Sequence, residues 1–173
     1  KEVWPNLQLY MHGGVSFKPY LEQYRAIMPE DLNYVETYNA SEGFFGIQFA
    51  PDDDSLLLML DYGIYYEFIP VDEYGSENPT CLPLKDVVPS KQYVLVTTTN
   101  VGLWRYVPGD TISFTSTNPY RFRITGRTKH FINAFGEELI VDNAERALAV
   151  ACERTGAQLS DYTASPIFMS ENT

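Results

Sequence analysis

Three short segments carry residue types that suit nucleotide chemistry. Residues 38–42 (YNASE) combine an aromatic ring, a hydroxyl and a carboxylate, which can stack on a base, contact a phosphate and hold Mg²⁺. Residues 102–110 end on Gly-Asp, and a carboxylate after a glycine turn suits the two hydroxyls of a ribose. Residues 126–139 form a polar connector with an arginine and a lysine. Each segment alone is also typical of a turn or linker, so only their joint occurrence is informative.

The sequence lacks the familiar catalytic patterns. It contains no GxSxG, no HExxH and no GxxxxGK phosphate loop. The two histidines, His12 and His130, lie in unrelated contexts and do not form an acid–base pair by themselves. Cys81 and Cys152 are far apart and outside any CxxC, which argues against a zinc site and a disulfide scaffold. The cysteine pattern predicts two reduced thiols in a cytoplasmic protein.

The composition predicts a folded domain of ordinary size. The chain has 173 residues, of which 45% are apolar and 14% aromatic, enough for a hydrophobic core and too many for a disordered segment. The longest apolar run, Leu56–Leu60, is too short for a transmembrane helix. We therefore expect no membrane partner.

Charge is distributed unevenly along the chain. The net charge is −11, and residues 1–90 hold 15 acidic and 4 basic groups, whereas residues 91–173 hold 8 of each. This overall sign disfavours nucleic acid as a partner. Residues 105–129 are nevertheless locally basic, which leaves open a local anion site or a row of solvated strand arginines.

Most of the periodic segments are typical of strands. After residue 126 the pattern changes to a polar connector followed by an amphipathic helix. Helices are predicted at residues 19–28 and 141–155, the second amphipathic and closed by a glycine. The segments 56–60 and 64–70 form a predicted hairpin, and the four strands from residue 92 form a meander. Strand patterns occur at residues 7–11, 33–38, 44–49, 56–60, 64–70, 92–99, 101–107, 111–116, 120–125 and 161–169.

Taken together and in this order, the segments resemble the adenylate-forming superfamily of acyl-CoA synthetases, luciferases and peptide-synthetase adenylation domains. The chain is most similar to its auxin-responsive acyl-acid amido synthetase branch, the plant auxin- and jasmonate-conjugating enzymes and their bacterial relatives. Three segments have sequences that are characteristic of that branch: residues 12–17 (HGGVSF), 38–43 (YNASEG) and 133–138 (NAFGEE). The resemblance covers nearly the whole chain.

The resemblance implies a nucleotide-binding set. Gly13 and Gly14 would let the backbone approach the adenine or the acyl carbonyl. Tyr38 would stack on the adenine, and Asp110 would accept the ribose hydroxyls. Arg127 would contact ribose or phosphate near the hinge, a task that suits a guanidinium.

The resemblance also implies three catalytic residues. Ser41 would bond the α-phosphate, Glu42 would ligate Mg²⁺, and Lys129 would occupy the pivot of the hinge. The implied cofactors are ATP and Mg²⁺. The implied substrates are a small carboxylic acid, which forms an acyl-adenylate, and an amine such as an amino acid, which takes the acyl group.

The expected fold class is α+β. Residues 1–125 would be the distal, β-rich part of an N-terminal adenylation domain, with a meander or barrel-like sheet. Residues 126–136 would be the hinge, and residues 137–173 the beginning of a small α/β C-terminal domain. Because the phosphate loop of the family is not matched, the chain is expected to be an inactive fragment of a longer cytoplasmic ligase.

Two other functions are compatible with the sequence. A non-catalytic β-rich binding module could use the many aromatic residues, which include 13 Tyr and 10 Phe, to line a ligand surface. An adenylate-forming enzyme could also pass its acyl group to a thiol. Release of pyrophosphate with ATP, Mg²⁺ and a carboxylic acid would distinguish an enzyme from a binding module.

Overall fold

The computed structural model describes residues 3–14, 17, 20–128, 131–134, 137–160 and 162–164. Most of the chain is β-structure. The elements are β1 Leu9–His12, α1 Leu21–Ile27, β2 Asn33–Ala40, β3 Gly43–Ala50, β4 Asp53–Leu58, β5 Ile64–Pro70, β6 Leu82–Pro83, β7 Gln92–Thr99, β8 Asp110–Thr117, β9 Tyr120–Arg127, β10 Phe131–Ala134, β11 Glu137–Ile140 and α2 Val141–Thr155.

One mixed sheet of nine strands carries Tyr38, Asp110 and Arg127, and the other described candidate residues lie just beyond the ends of its strands. Its strand order is β1-β2-β3-β4-β9-β8-β7-β5-β6, and only the β1–β2 pair is parallel. The sheet-rich α+β class is confirmed. The barrel-like closure is wrong, since β1 and β6 stand at opposite edges of an open sheet. A separate two-stranded hairpin, β10–β11, follows.

The predicted hairpin between residues 56–60 and 64–70 is wrong. β4 pairs with β3 and β9, and β5 pairs over its whole length with β7. The link at residues 59–63 therefore crosses between non-neighbouring strands. Pairing β4 with β9 sets Leu56 against Phe122, and both side chains are almost fully buried, at 1% exposure each. Burial of these side chains outweighs the local turn signal.

The predicted strand at residues 101–107 is also absent. Gly102 has φ +106° and Arg105 has φ +45°, and neither value is compatible with an extended strand. Only Tyr106 forms a bridge, with Thr97 of β7. The segment from residue 126, expected to be a connector, includes the end of β9 and the hairpin β10–β11.

The core lies where aromatic side chains of β3, β5, β7, β8 and β9 meet. Phe68 and Phe114 pack edge to face, with ring centroids 5.1 Å apart. Phe122 joins them, while its neighbours Arg121 and Arg123 pair with Asp53 and Asp54 of β4. This alternation is the period-two pattern of a sheet with one buried face.

The predicted second helix is confirmed over Val141–Thr155. Gly156, with φ +67°, ends it and donates its N–H to the Cys152 carbonyl. Among the described residues, no helix is both long enough and apolar enough to cross a membrane. The last predicted strand, 161–169, lies mostly outside the described residues.

Candidate functional site

Asp110 is the centre of the candidate site. It is the first residue of β8 and is 7% exposed. Its Oδ2 accepts a hydrogen bond from the Tyr38 hydroxyl at 2.5 Å, and its Oδ1 accepts one from Arg127 Nε at 2.7 Å. Arg127 is its cross-strand partner on β9, whereas Tyr38 comes from β2. Gly109, with φ +95°, makes the turn that presents the aspartate.

Tyr38 joins the site through its hydroxyl. The side chain is 5% exposed, and its ring packs against Phe45, with centroids 4.9 Å apart, and edge-on against Phe122. Burial, followed by the charge of Asp110, raises the pKa of the phenol far above its usual value. Tyr38 therefore stays protonated and acts as a donor. Its stacking on adenine remains a prediction, and the observed ring lies in the core.

Glu42 and Tyr106 form the second part of the site. Glu42 is half-buried at the turn between β2 and β3. Its carboxylate raises the pKa of Tyr106 and also acts electrostatically on Tyr38 and Arg127. The residues 38–42 and 106–110 thus face each other, and each segment contributes one tyrosine and one carboxylate.

The glycine segment lies beside β2. A Cβ at Gly13 would collide with the Thr37 carbonyl, so this backbone approach requires glycine. Gly14 has φ +88°, in the left-handed region that favours glycine. The Thr37 hydroxyl donates to the His12 carbonyl at 3.2 Å, which ties this segment to the strand that bears Tyr38.

The remaining predicted residues are placed differently. Ser41 is exposed in the β2–β3 turn. Lys129 lies outside the described residues. Arg105, from the basic stretch, forms an ion pair with Glu67 at 3.0 Å and not with Asp110.

A metal at this site would depend on one carboxylate. Among the described residues, no group of three or more His, Cys, Asp or Glu side chains could hold a metal ion. Glu42 alone fits Mg²⁺ that arrives with a nucleotide, because this ion is usually bound by one or two carboxylates together with substrate phosphates and water.

Sequence reasoning grouped these residues but missed how they pair. The bond between Tyr38 and Asp110 spans 72 positions of the chain. Tyr106, which belongs to the second of the three segments, faces Glu42. One signal was available, since both segments have the spacing Tyr-x-x-x-acid.

Comparison with known proteins shows which family the chain resembles. Residues 57–127 match the GH3 family central domain. The chain is 33% identical over 178 residues to the indole-3-acetic acid-amido synthetase GH3.8 of Oryza sativa subsp. indica, an alignment that covers 95% of this chain and 28% of that protein. It is 34% identical over 122 residues to the indole-3-acetic acid-amido synthetase GH3.3 of Arabidopsis thaliana, and this alignment covers 66% of this chain and 20% of that protein.

A solved structure extends the similarity to the fold. The AtGH3.15 acyl acid amido synthetase in complex with 2,4-DB matches with a TM-score of 0.59 and 25% identity, over 84% of this chain and 25% of that chain. The chain thus spans 28% or less of the length of the two curated relatives above. The resemblance inferred from the sequence is confirmed: the chain contains a match to the GH3 family central domain and is similar to acyl acid amido synthetases of that family.

Proposed function

We propose that this chain is part of an ATP-dependent ligase that joins a carboxylic acid to an amine. One observation carries the proposal: Tyr38 of β2 and Arg127 of β9 converge on Asp110 of β8, which places a buried carboxylate beside a cation. The family match supports the same activity. The two free cysteines described, Cys81 and Cys152, suit a cytoplasmic enzyme.

The proposed reaction has two steps. A carboxylate oxygen of the acid attacks the α-phosphorus of ATP, the bond to the β-phosphate oxygen breaks, and pyrophosphate leaves. An amine nitrogen then attacks the acyl carbonyl, loses a proton, and expels AMP. The acid is of the class that the relatives' names indicate, a small acid such as indole-3-acetic acid, and the amine is an amino acid.

Asp110 and Arg127 would bind the nucleotide sugar and phosphate. The carboxylate of Asp110 accepts hydrogen bonds, so it suits the ribose hydroxyls. Arg127 has 56% of its side chain exposed, which leaves the guanidinium free to turn towards a phosphate. Gly13 and Gly14 would allow close backbone approach of the adenine or the acyl carbonyl.

Ser41 and Glu42 would act at the phosphate side. Ser41 would donate its hydroxyl to the α-phosphate, and Glu42 would hold Mg²⁺. Bound there, Mg²⁺ would neutralise charge on the phosphates. Lys129 is proposed as the pivot between the two steps, with residues 126–136 as the hinge.

The test is AMP binding by the complete gene product. Asp110→Asn should weaken AMP binding by about tenfold or more, because a hydrogen bond to a charged group contributes about 1.5–3 kcal/mol. Asn keeps an acceptor for Tyr38, which protects the fold. Asp61→Asn, in the exposed turn before β5, is the matched control and should leave affinity unchanged. Calorimetry that shows equal AMP affinity for Asp110→Asn and wild type would remove Asp110 from the site.

A further inference from the structure

The two oxygens of Asp110 have different environments. Oδ2 faces the hydroxyl of Tyr38, and both side chains are more than nine-tenths buried. Oδ1 faces Arg127, whose side chain is 56% exposed. One oxygen is thus held from inside the protein and the other from the solvent side.

The inner contact is suited to a permanent role. Tyr38 is the donor, and burial beside Asp110 keeps its proton in place. Hydrogen bonds to an ionised acceptor are roughly twice as strong as neutral ones. Rotation about the last bond of an aspartate is otherwise broad, so a second fixed contact determines the direction in which the carboxylate points.

The outer contact is suited to exchange. Arg127 ends β9 and 56% of its side chain is exposed, so its guanidinium can move into solvent and another donor can take its place at Oδ1. A ribose hydroxyl that donates to Oδ1 would take the place of the guanidinium. The released Arg127 could then contact a phosphate of the same ligand.

Building on the proposed function, we propose that Tyr38 is a positioning residue. Its hydroxyl fixes the carboxylate of Asp110 so that Oδ1 faces the ribose, and Arg127 occupies Oδ1 until the ribose arrives. Through this hydroxyl Tyr38 would act on the sugar by way of Asp110, whereas a stacking ring would act on the base. The two roles differ in which part of the nucleotide they recognise.

The experiment compares AMP with 2′,3′-dideoxy-AMP in the complete gene product. Tyr38→Phe keeps the ring and removes the hydroxyl. It should weaken AMP about three- to tenfold, the worth of one hydrogen bond, and change dideoxy-AMP affinity less than about twofold. In the Asp110→Asn background, Tyr38→Phe should have no further effect on AMP, because its effect passes through that carboxylate.

The matched control is Tyr66→Phe. Tyr66 is 4% exposed and its hydroxyl donates to the Met59 carbonyl at 2.9 Å, so its loss tests the general effect of removing a buried phenol hydroxyl. Tyr66→Phe should leave both affinities unchanged. Thermal unfolding of each variant verifies that it is folded.

Each result decides a different point. Unchanged AMP affinity in Asp110→Asn overturns the proposed function. Weakened AMP in Asp110→Asn with no change in Tyr38→Phe overturns only the positioning role. Equal loss of both nucleotides in Tyr38→Phe shows that its effect does not depend on the ribose hydroxyls, and also overturns the role.

A structure of the wild-type protein with AMP tests the same point without a substitution, should Tyr38→Phe not fold. The Tyr38 hydroxyl should stay within about 3 Å of Oδ2 while Arg127 leaves Oδ1. Separation of Tyr38 from Asp110 in the complex would overturn the proposal.

Discussion

At the residue scale, the environment of His12 sets its charge. Its ring stacks on Phe17, with centroids 4.2 Å apart and planes at 22°. Its Nδ1 is buried without a hydrogen-bond partner among the described residues. Burial lowers the pKa of the imidazole below its usual value of about 6.5. His12 is therefore neutral in the fold at a pH where the unfolded chain begins to protonate.

This difference predicts how stability depends on pH. Below about pH 6.5 the unfolded chain binds a proton at His12 before the folded chain does, so the free energy of unfolding falls as the pH decreases. The loss ends once the pH passes the lowered pKa of the folded state. Urea titrations from pH 7.5 to about 5.5 should show a smaller decrease for His12→Gln than for wild type. Identical slopes for the two proteins would show that His12 is equally easy to protonate in both states.

At the element scale, β9 joins the two halves of the sheet through its buried face. Phe122 is 1% exposed and contacts the rings of Phe114 and Tyr38. Phe49 on β3 is a contrasting phenylalanine: it is 69% exposed and has the guanidinium of Arg121 5.6 Å from its ring centre. The same residue type therefore has opposite environments two strands apart.

This contrast gives a matched pair of substitutions. Phe122→Ala should cost about 3–5 kcal/mol of unfolding free energy through lost burial and a cavity. Phe49→Ala should cost about 1 kcal/mol or less, since it loses mainly a surface cation–π contact. Urea unfolding of the two variants measures both. Comparable losses of unfolding free energy in the two variants would mean that the buried face of β9 contributes no more to stability than the exposed Phe49.

At the scale of the whole molecule, the chain spans only part of the length of its relatives. It covers 28% of the rice relative, and the phosphate loop of the adenylate-forming family is not matched in its sequence. Acyl-adenylate formation depends on groups placed around the transferring phosphorus, and Asp110, Arg127 and Tyr38 are proposed to act mainly on the sugar side of the nucleotide.

We therefore expect the 173-residue chain to release no pyrophosphate above background. The assay would use ATP, Mg²⁺ and a panel of small carboxylic acids. The complete gene product, assayed in parallel, should release pyrophosphate with at least one acid. Turnover by the 173-residue chain alone would show that the remaining groups are dispensable.

Local periodicity and sequence motifs were sufficient to predict some of the secondary-structure elements and the family resemblance. The strand at Gln92–Thr99 and the helix at Val141–Thr155 have the predicted bounds, because a run of β-branched and aromatic residues and an amphipathic stripe are properties of consecutive residues. The order of the polar segments indicated the family, and it grouped Tyr38 with Asp110 and Arg127 before their contacts were known.

Only the tertiary structure decided which strands are neighbours and which atoms meet. β4 lies beside β9 and not β5, because Leu56 and Phe122 gain more from mutual burial than a local turn offers. Tyr38 directs its hydroxyl to Asp110 because a buried carboxylate without a donor is costly, and that donor comes from a strand 72 residues away. Neither pairing is visible in a window of sequence, since both depend on side chains that become neighbours only when the sheet forms.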